Sequence, residues 1–402
     1  MTADPAVLLL GFTVDDADIR EITRRSPVLP TQTDAFAWNV VSALREGGAR
    51  VSLLSTAPVP NFPAYPKVFF RSKRFHEHGT AGLLLGFINV LGLKHVTRFV
   101  QCLLRGTRFI RSRGVRSVVV HGAHTPFLLY ARIVKRTMGI RICVILTDPP
   151  AVSIAGENRL VAGMKRIDRR LMKSLCSGFD GVIALTPHLA SDYAPGVPSL
   201  ITPGFASTSL LLGDPDSDEE PESTFRVGYG GGLSDEYGVA DLVNAISTSS
   251  GDIRLELFGR GSLDDWLAER AAVDPRICVG GVLPRDQLLR HLSSLDVLVN
   301  PRQLRHSFTK YSFPSKLLEF MSLGVPTIST RLPSLPNGLA EHLVLAESTV
   351  EGIAAAIERV RGMSRERRLE LGRSARAYVL SQLSPVAQGP AIVHFVEGHD
   401  GT

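Results

Sequence analysis

Short strand-like runs that alternate with helical patterns are the feature that most constrains this fold. Val7–Phe12 is uninterrupted apolar sequence, the mark of a strand buried on both faces of a parallel sheet. Val51–Ser55, Ser117–His121, Arg141–Leu146 and Gly181–Leu185 read as further strands. Between them Ala35–Arg45, closed by Gly47-Gly48, Pro126–Met138 and Leu160–Ser174 read as helices. This alternation predicts a doubly wound α/β domain. Ligands of such domains sit at the carboxyl ends of the strands, where His121 and Asp148 both fall.

A chain of 402 residues is too long for one core. Gly213–Thr224, GDPDSDEEPEST, is acidic, lacks apolar periodicity and reads as a solvated boundary. Beyond it the pattern restarts: strands at Phe225–Gly230, Arg254–Phe258, Ile277–Val279 and Asp296–Asn300, with helices at Val239–Ser247 and Arg285–Ser293. Ser348 to Glu351 has the form of a capping box, and helical segments at Arg365–Leu383 and Pro385–Glu397 finish the chain. The expected division is residues 1–205, an acidic linker 206–224, a second domain 225–383, and a last helix in 384–402.

Residues Lys310–Thr330, KYSFPSKLLEFMSLGVPTIST, carry the most chemistry. Phe313-Pro314-Ser315 is a helix start, capped by Ser or by free backbone N–H groups; Leu317, Leu318, Met321 and Leu323 form the apolar stripe, with Glu319 and Ser322 on other faces. Gly324 stops the helix, and Val325–Thr330 reads as a buried strand. A helix N-terminus beside Lys316 and Lys310 is an anion site, best suited to phosphate. Glu319, one turn in, is placed to accept hydrogen bonds from paired sugar hydroxyls. The alternative is an ordinary α/β helix with a surface Lys and a solvated Glu.

Composition narrows the classes. The four cysteines form no CxxC pair, which argues against a disulfide framework or zinc site and fits a reducing cytoplasm. The start, MTADPAVLLLGF, is read as the first strand and not a signal peptide. Gly230-Gly231-Gly232 follows a strand but fails GxGxxG, leaving a turn where backbone can approach a ligand closely, or a plain tight turn. The DxD matches at Asp16/Asp18, Asp214/Asp216 and Asp216/Asp218 lie in polar loops and are read as solvated acids, so no metal is expected.

In these segments the chain resembles a family-4 (retaining) glycosyltransferase of the GT-B fold. GYGGGLSDEYGVADLVNAI, LFGRGS and NPRQLRHSFTKYSFPSKLLEFMSLGVPTIST carry the resemblance. It implies two Rossmann-like domains facing a central cleft, the first binding acceptor and the second a nucleoside diphosphate sugar, with the last helix crossing back to the first. By resemblance Glu319 holds the ribose, and Ser315, Lys316 and Leu317 meet the diphosphate. Gly231 and Gly232 face the phosphates, backbone around Val282 reads the base, and His121 lies near the transferred sugar. Asp148 is a candidate for an acceptor hydroxyl, or simply caps the turn before two prolines. His121 also has a plain structural reading.

The departures are specific. Tyr311 stands where the family has the first acid of E-x7-E, and Gly232 and Tyr237 replace its usual Arg and Lys. Thr31-Gln32 replaces the double glycine of the acceptor loop. Lys316, Lys310, Arg302 or Arg260 would supply the missing positive charge. The resemblance thus implies a metal-independent, cofactor-free transferase acting on a membrane-linked glycan or lipid for cell-envelope synthesis. A nucleotide-sugar epimerase and a non-catalytic nucleotide-sugar-binding subunit remain alternatives.

Charge is uneven along the chain. Residues 1–205 hold 26 Lys/Arg and 13 Asp/Glu, a net of +13, and the remainder 19 against 26, a net of −7. Lys67 to Arg116 contains eleven basic residues and one acid, Glu77. Val96, Phe99, Val100, Leu103, Leu104 and Ile110 recur there at helical spacing with basic residues between them, as in an interfacial helix; the alternative is a stripe packed on the sheet. Ala81–Leu93 is too short to cross a bilayer, which takes about 20 residues, but long enough to dip into one. These features predict a cytoplasmic protein held peripherally at an anionic membrane surface, the inner face of the plasma membrane. No aromatic-rich basic motif points to nucleic acid.

Overall fold

The computed structural model describes residues 4–25, 31–149, 159–206, 224–305 and 307–398. It divides into two compact units, residues 1–202 with 385–402, and residues 203–384. Most of the acidic segment, including Asp214, Asp216 and Asp218, lies outside the described residues.

The first unit is built on an eight-stranded sheet. Its strands are β1 (Ala6–Gly11), β2 (Arg50–Ser55), β4 (Lys73–Glu77), β5 (Thr80–Leu84), β7 (Ser117–His121), β8 (Arg141–Leu146), β9 (Gly181–Ala184) and β10 (Ser199–Ile201); β3 (Phe69–Phe70) and β6 (Phe87–Ile88) form a separate antiparallel ribbon. The order is β10-β9-β8-β7-β1-β2-β5-β4, parallel except for the edge hairpin β4–β5. β1 lies between β2 and β7, so the winding direction reverses at β1/β7. All six residues of β1 are buried, as its apolar run predicts for a strand covered on both faces.

The final helix, Pro385–Glu397, belongs to this unit and packs on the Thr31–Glu46 helix. The approach is close enough that a Cβ on Gly47 would collide with the Gly389 carbonyl, and one on Gly389 with that of Ala43. Ser117 Oγ and Arg141 Nη2 donate to the carbonyls of Val396 and Phe395, both at 3.3 Å.

The second unit carries a six-stranded parallel sheet: β11 (Phe225–Gly232), β12 (Ile253–Arg260), β13 (Ile277–Gly281), β14 (Val297–Asn300), β15 (Thr327–Thr330) and β16 (Val344–Ala346), in the order β13-β12-β11-β14-β15-β16. The reversal falls at β11/β14. Both units are therefore Rossmann-like, as the alternation predicts.

Several local expectations are corrected. Asp16 and Asp18 are not loop acids: they sit in the first turn of the Asp16–Arg25 helix, where negative charge meets the positive dipole end. Asp18 and Asp15 each lie 2.8 Å from Lys73 Nζ. Thr349, not Ser348, caps the Val350–Arg361 helix, accepting from Gly352 N at 3.0 Å; Ser348 instead accepts from Leu304 N. Of Ala81–Leu93 only Leu91, Gly92 and Leu93 are exposed, because the rest is spent on β5, β6 and their flanks, so the stretch does not dip into a leaflet as a whole. The expected single stripe between Val96 and Ile110 splits: Ile110 is fully buried and Phe99 and Leu103 half-buried, while Val96, Val100 and Leu104 face outward. Lys94 and Arg98 do not lie on a solvated face but are buried, at 6% and 3% exposure.

Candidate functional site

The topological switch point of the second sheet gathers the charged residues. β11 ends in Gly230-Gly231-Gly232, and Gly231 has φ +156, outside the usual range of residues bearing a Cβ. A Cβ there would collide with the Lys316 ammonium, and one on Gly259 (φ +134), its neighbour on β12, with the Gly231 carbonyl. Glycine is therefore required for Lys316 to lie directly over this turn.

Lys316 reaches the turn because its helix, Ser315–Ser322, starts at the carboxyl edge of the sheet after β14. Leu317, Leu318, Phe320 and Met321 anchor the helix in the core. Ser322 is buried with them, against expectation, because its hydroxyl donates to the Leu318 carbonyl at 2.6 Å. Pro314 occupies the cap position and no side chain caps the helix, so Ser315 is the exposed first helical residue and not the cap. The Leu317 N–H already donates to the Pro314 carbonyl at 2.8 Å, which takes it from the expected set of anion donors.

The Lys316 ammonium is held by two tyrosines. Nζ lies 3.5 Å from the Tyr229 hydroxyl and 4.8 Å from the Tyr237 ring centre. The Tyr229 hydroxyl donates to the Gly232 carbonyl at 2.9 Å. Burial pushes the Lys316 pKa down to about 8; nearby Glu319 opposes this and Arg302 adds to it. Arg302, 6% exposed in the loop after β14, donates from Nη2 to Ser312 Oγ at 3.2 Å. Lys316 and Arg302 thus bring two positive charges to a glycine-lined strand edge.

Other expected residues fall around this centre. Glu319 forms an ion pair with Arg285, Nη2 to Oε1 at 3.0 Å. Arg260 is exposed and in register with Gly232 across β11–β12. Val282 is 58% exposed and follows Gly281, whose φ of +68 marks a turn. Lys310 is exposed and lies over the ring of Tyr311 at 4.6 Å, so a cation–aromatic contact stands where the resemblance expects a carboxylate.

In the first unit His121 ends β7 beside β1, at that sheet's own switch point. Its pKa is pushed down to about 4 by burial, and its Nδ1 is buried without a hydrogen-bond partner among the described residues. A Cβ on Gly11 would sit 3.1 Å from the His121 Cβ, so the end of β1 is also closely packed. Asp148 lies two residues beyond β8 and is exposed. His124 packs between Phe12 and Phe127, and burial together with Arg98 holds its pKa well below the usual histidine range.

Neither Tyr229 nor Arg285 is marked by a local sequence pattern. Tyr229 lies within the GYGGG run and reads as strand filler. The partner of Arg285 is 34 residues away, so no local pattern reveals it.

Residues 224–361 match the family model described as Glycosyl transferases group 1. No curated protein matches the chain. Among solved structures it is similar to sucrose-phosphate synthase from Thermosynechococcus elongatus, with TM-score 0.67 and 14% identity over 97% of this chain and 98% of that one. It is also similar to Anabaena HepE in complex with UDP, with TM-score 0.61 and 12% identity over 97% and 99%. A lipopolysaccharide outer core galactosyltransferase gives TM-score 0.58 and 13% identity over 97% and 98%. The fold is that of GT-B glycosyltransferases, and the second unit carries the matched group 1 segment.

Proposed function

We propose that the protein is a glycosyltransferase that moves a sugar from a nucleoside diphosphate sugar to an acceptor hydroxyl, with retention, and that its acceptor is a membrane-linked glycan or lipid. The observation that carries this reading is Lys316, fixed over Gly231 by Tyr229 and Tyr237, with Arg302 buried nearby. As the diphosphate departs, negative charge develops on its oxygens. Cations already oriented at that place stabilise it without rearrangement, and the reading needs no metal ion. Lys316 takes the role of the Arg and Lys that Gly232 and Tyr237 replace, with Arg302 assisting. Glu319 is assigned the ribose hydroxyls, with backbone near Val282 at the base; Arg260 and Lys310 supply outer positive charge. His121 is assigned the transferred sugar and Asp148 an acceptor hydroxyl.

The group 1 match over residues 224–361 and the UDP-bound Anabaena structure support a nucleotide sugar as donor. The basic first half supports an anionic or membrane-borne acceptor. The test is a thermal-shift panel of UDP-, GDP- and dTDP-sugars, since ligand that binds only the native state raises the melting temperature by mass action. One base class should stabilise the protein; no shift with any of them contradicts the reading. Turnover by the purified chain with an acceptor separates a transferase from an epimerase and from a non-catalytic subunit.

A further inference from the structure

In the first half of the segment from Leu91 to Arg113, Lys94 and Arg98 point inward while aliphatic side chains face outward. The Leu93–Gln101 helix continues through a π-helical turn, Cys102–Gly106, into the helix Thr107–Arg113. Along its inner face Lys94 donates to the Val59 carbonyl, and Arg98 donates from Nη2 to the Ala57 carbonyl at 2.7 Å. The Arg98 guanidinium also lies 4.3 Å from the Phe87 ring centre. Cys102, Gly106, Phe109 and Ile110 continue this buried face.

The opposite face exposes Leu93 (50%), Val96 (58%), Val100 (41%) and Leu104 (65%), spaced three, four and four residues apart, with Leu91 (77%) just before them. Phe69, 69% exposed, lies on the β3–β6 ribbon against which the Leu93–Gln101 helix packs. Scattered exposed aliphatics are ordinary, but a continuous stripe on one helix marks a surface that meets something.

Charge identifies the occupant. Residues 78–147 contain no Asp or Glu, and Arg105, Arg108, Arg111 and Arg113 are all exposed. Arg108 follows Leu104 by one turn, so the apolar stripe runs into an arginine cluster. We propose that this face docks on an anionic lipid bilayer, the aliphatic stripe entering the headgroup boundary and the arginines meeting lipid phosphates. Among the described residues no helix is long and apolar enough to cross a membrane, so attachment through this face is peripheral and reversible. The surface lies wholly in the first unit and does not rest on the nucleotide-sugar reading.

The test is co-sedimentation with vesicles of phosphatidylcholine mixed with phosphatidylglycerol, and with phosphatidylcholine alone, at low and high salt. Two variants are compared, Val96→Asp with Leu104→Asp, and Arg105→Glu with Arg108→Glu and Arg111→Glu. All five positions are exposed, so folding is kept, and an unchanged melting temperature verifies this. The parent should pellet with the anionic vesicles at low salt and be released at high salt, and each variant should bind more than about tenfold more weakly. Failure of the parent to bind anionic vesicles, equal binding to phosphatidylcholine alone, or unchanged binding by both variants overturns the proposal. So does self-association lost in the Asp variant without vesicle binding by the parent, which assigns the face to a second copy.

Discussion

Arg285 Nη2 lies 3.0 Å from Glu319 Oε1, so the carboxylate assigned to the ribose already has a cationic partner. The pair is partly exposed, and such contacts are worth little to stability. Arg285→Ala should therefore leave the melting temperature nearly unchanged. It frees Glu319 Oε1, and nucleotide affinity should rise by a few-fold. Glu319→Gln removes the charged acceptor, worth about 1.5–3 kcal/mol, and should weaken binding by roughly tenfold or more. Calorimetry of both variants checks this, and equal affinities in parent and variants would detach the pair from the binding site.

The lowered pKa of Lys316 gives nucleotide binding a pH signature. At about 8 the free protein loses a proton from Lys316 as pH rises. A diphosphate favours the protonated form, so binding near pH 8 should take up a proton, and affinity should fall as pH rises above 8. Lys316→Arg keeps its charge throughout and should flatten the profile. Calorimetry in buffers of different ionisation enthalpy reads the uptake directly; its absence would place the anion away from Lys316.

His121 should make stability depend on acid. Its folded pKa, about 4, lies below the unfolded value of about 6.5. Between these values the unfolded chain binds a proton that the folded one does not. The stabilisation from neutral burial is complete above pH 6.5 and is lost as pH falls toward 4, on the order of 3 kcal/mol in full. His121→Gln cannot titrate and should show a shallower acid slope in urea unfolding. The same variant should lower turnover while leaving nucleotide affinity unchanged; full activity would leave His121 a packing residue only.

Glycine at position 389 is a packing requirement. A Cβ there would run into the Ala43 carbonyl, and backbone cannot move aside as a flexible side chain can. Gly389→Ala should destabilise the first unit by about 1–3 kcal/mol. Differential scanning calorimetry should show the loss; an unshifted transition would mean that the two helices separate without cost.

The sheets were legible because buried parallel strands have no polar face to disguise them: Val7–Phe12 needs no context. The Ser315–Ser322 helix was legible from its apolar spacing, although not Ser322, whose hydroxyl is satisfied within its own helix. The Leu91–Arg113 face was not legible. Helical spacing shows that a stripe exists but cannot say which side meets the sheet, and here Lys94 and Arg98 find carbonyls at Val59 and Ala57 that no local pattern announces. The cluster at Lys316 needed the fold as well, since Tyr229 on β11 and Arg302 in the loop after the neighbouring β14 are far apart in sequence.

Lys316, seated over Gly231, is the residue proposed to neutralise a diphosphate. The most direct test of this role is calorimetry of Lys316→Met with a nucleoside diphosphate and with the matching bare nucleoside, using the base selected by the thermal-shift panel. Methionine keeps the length and apolar stem of lysine, so the fold should survive. Diphosphate affinity should fall by roughly tenfold or more while nucleoside affinity stays within about twofold. Equal losses for both ligands, or no loss for the diphosphate, would contradict it.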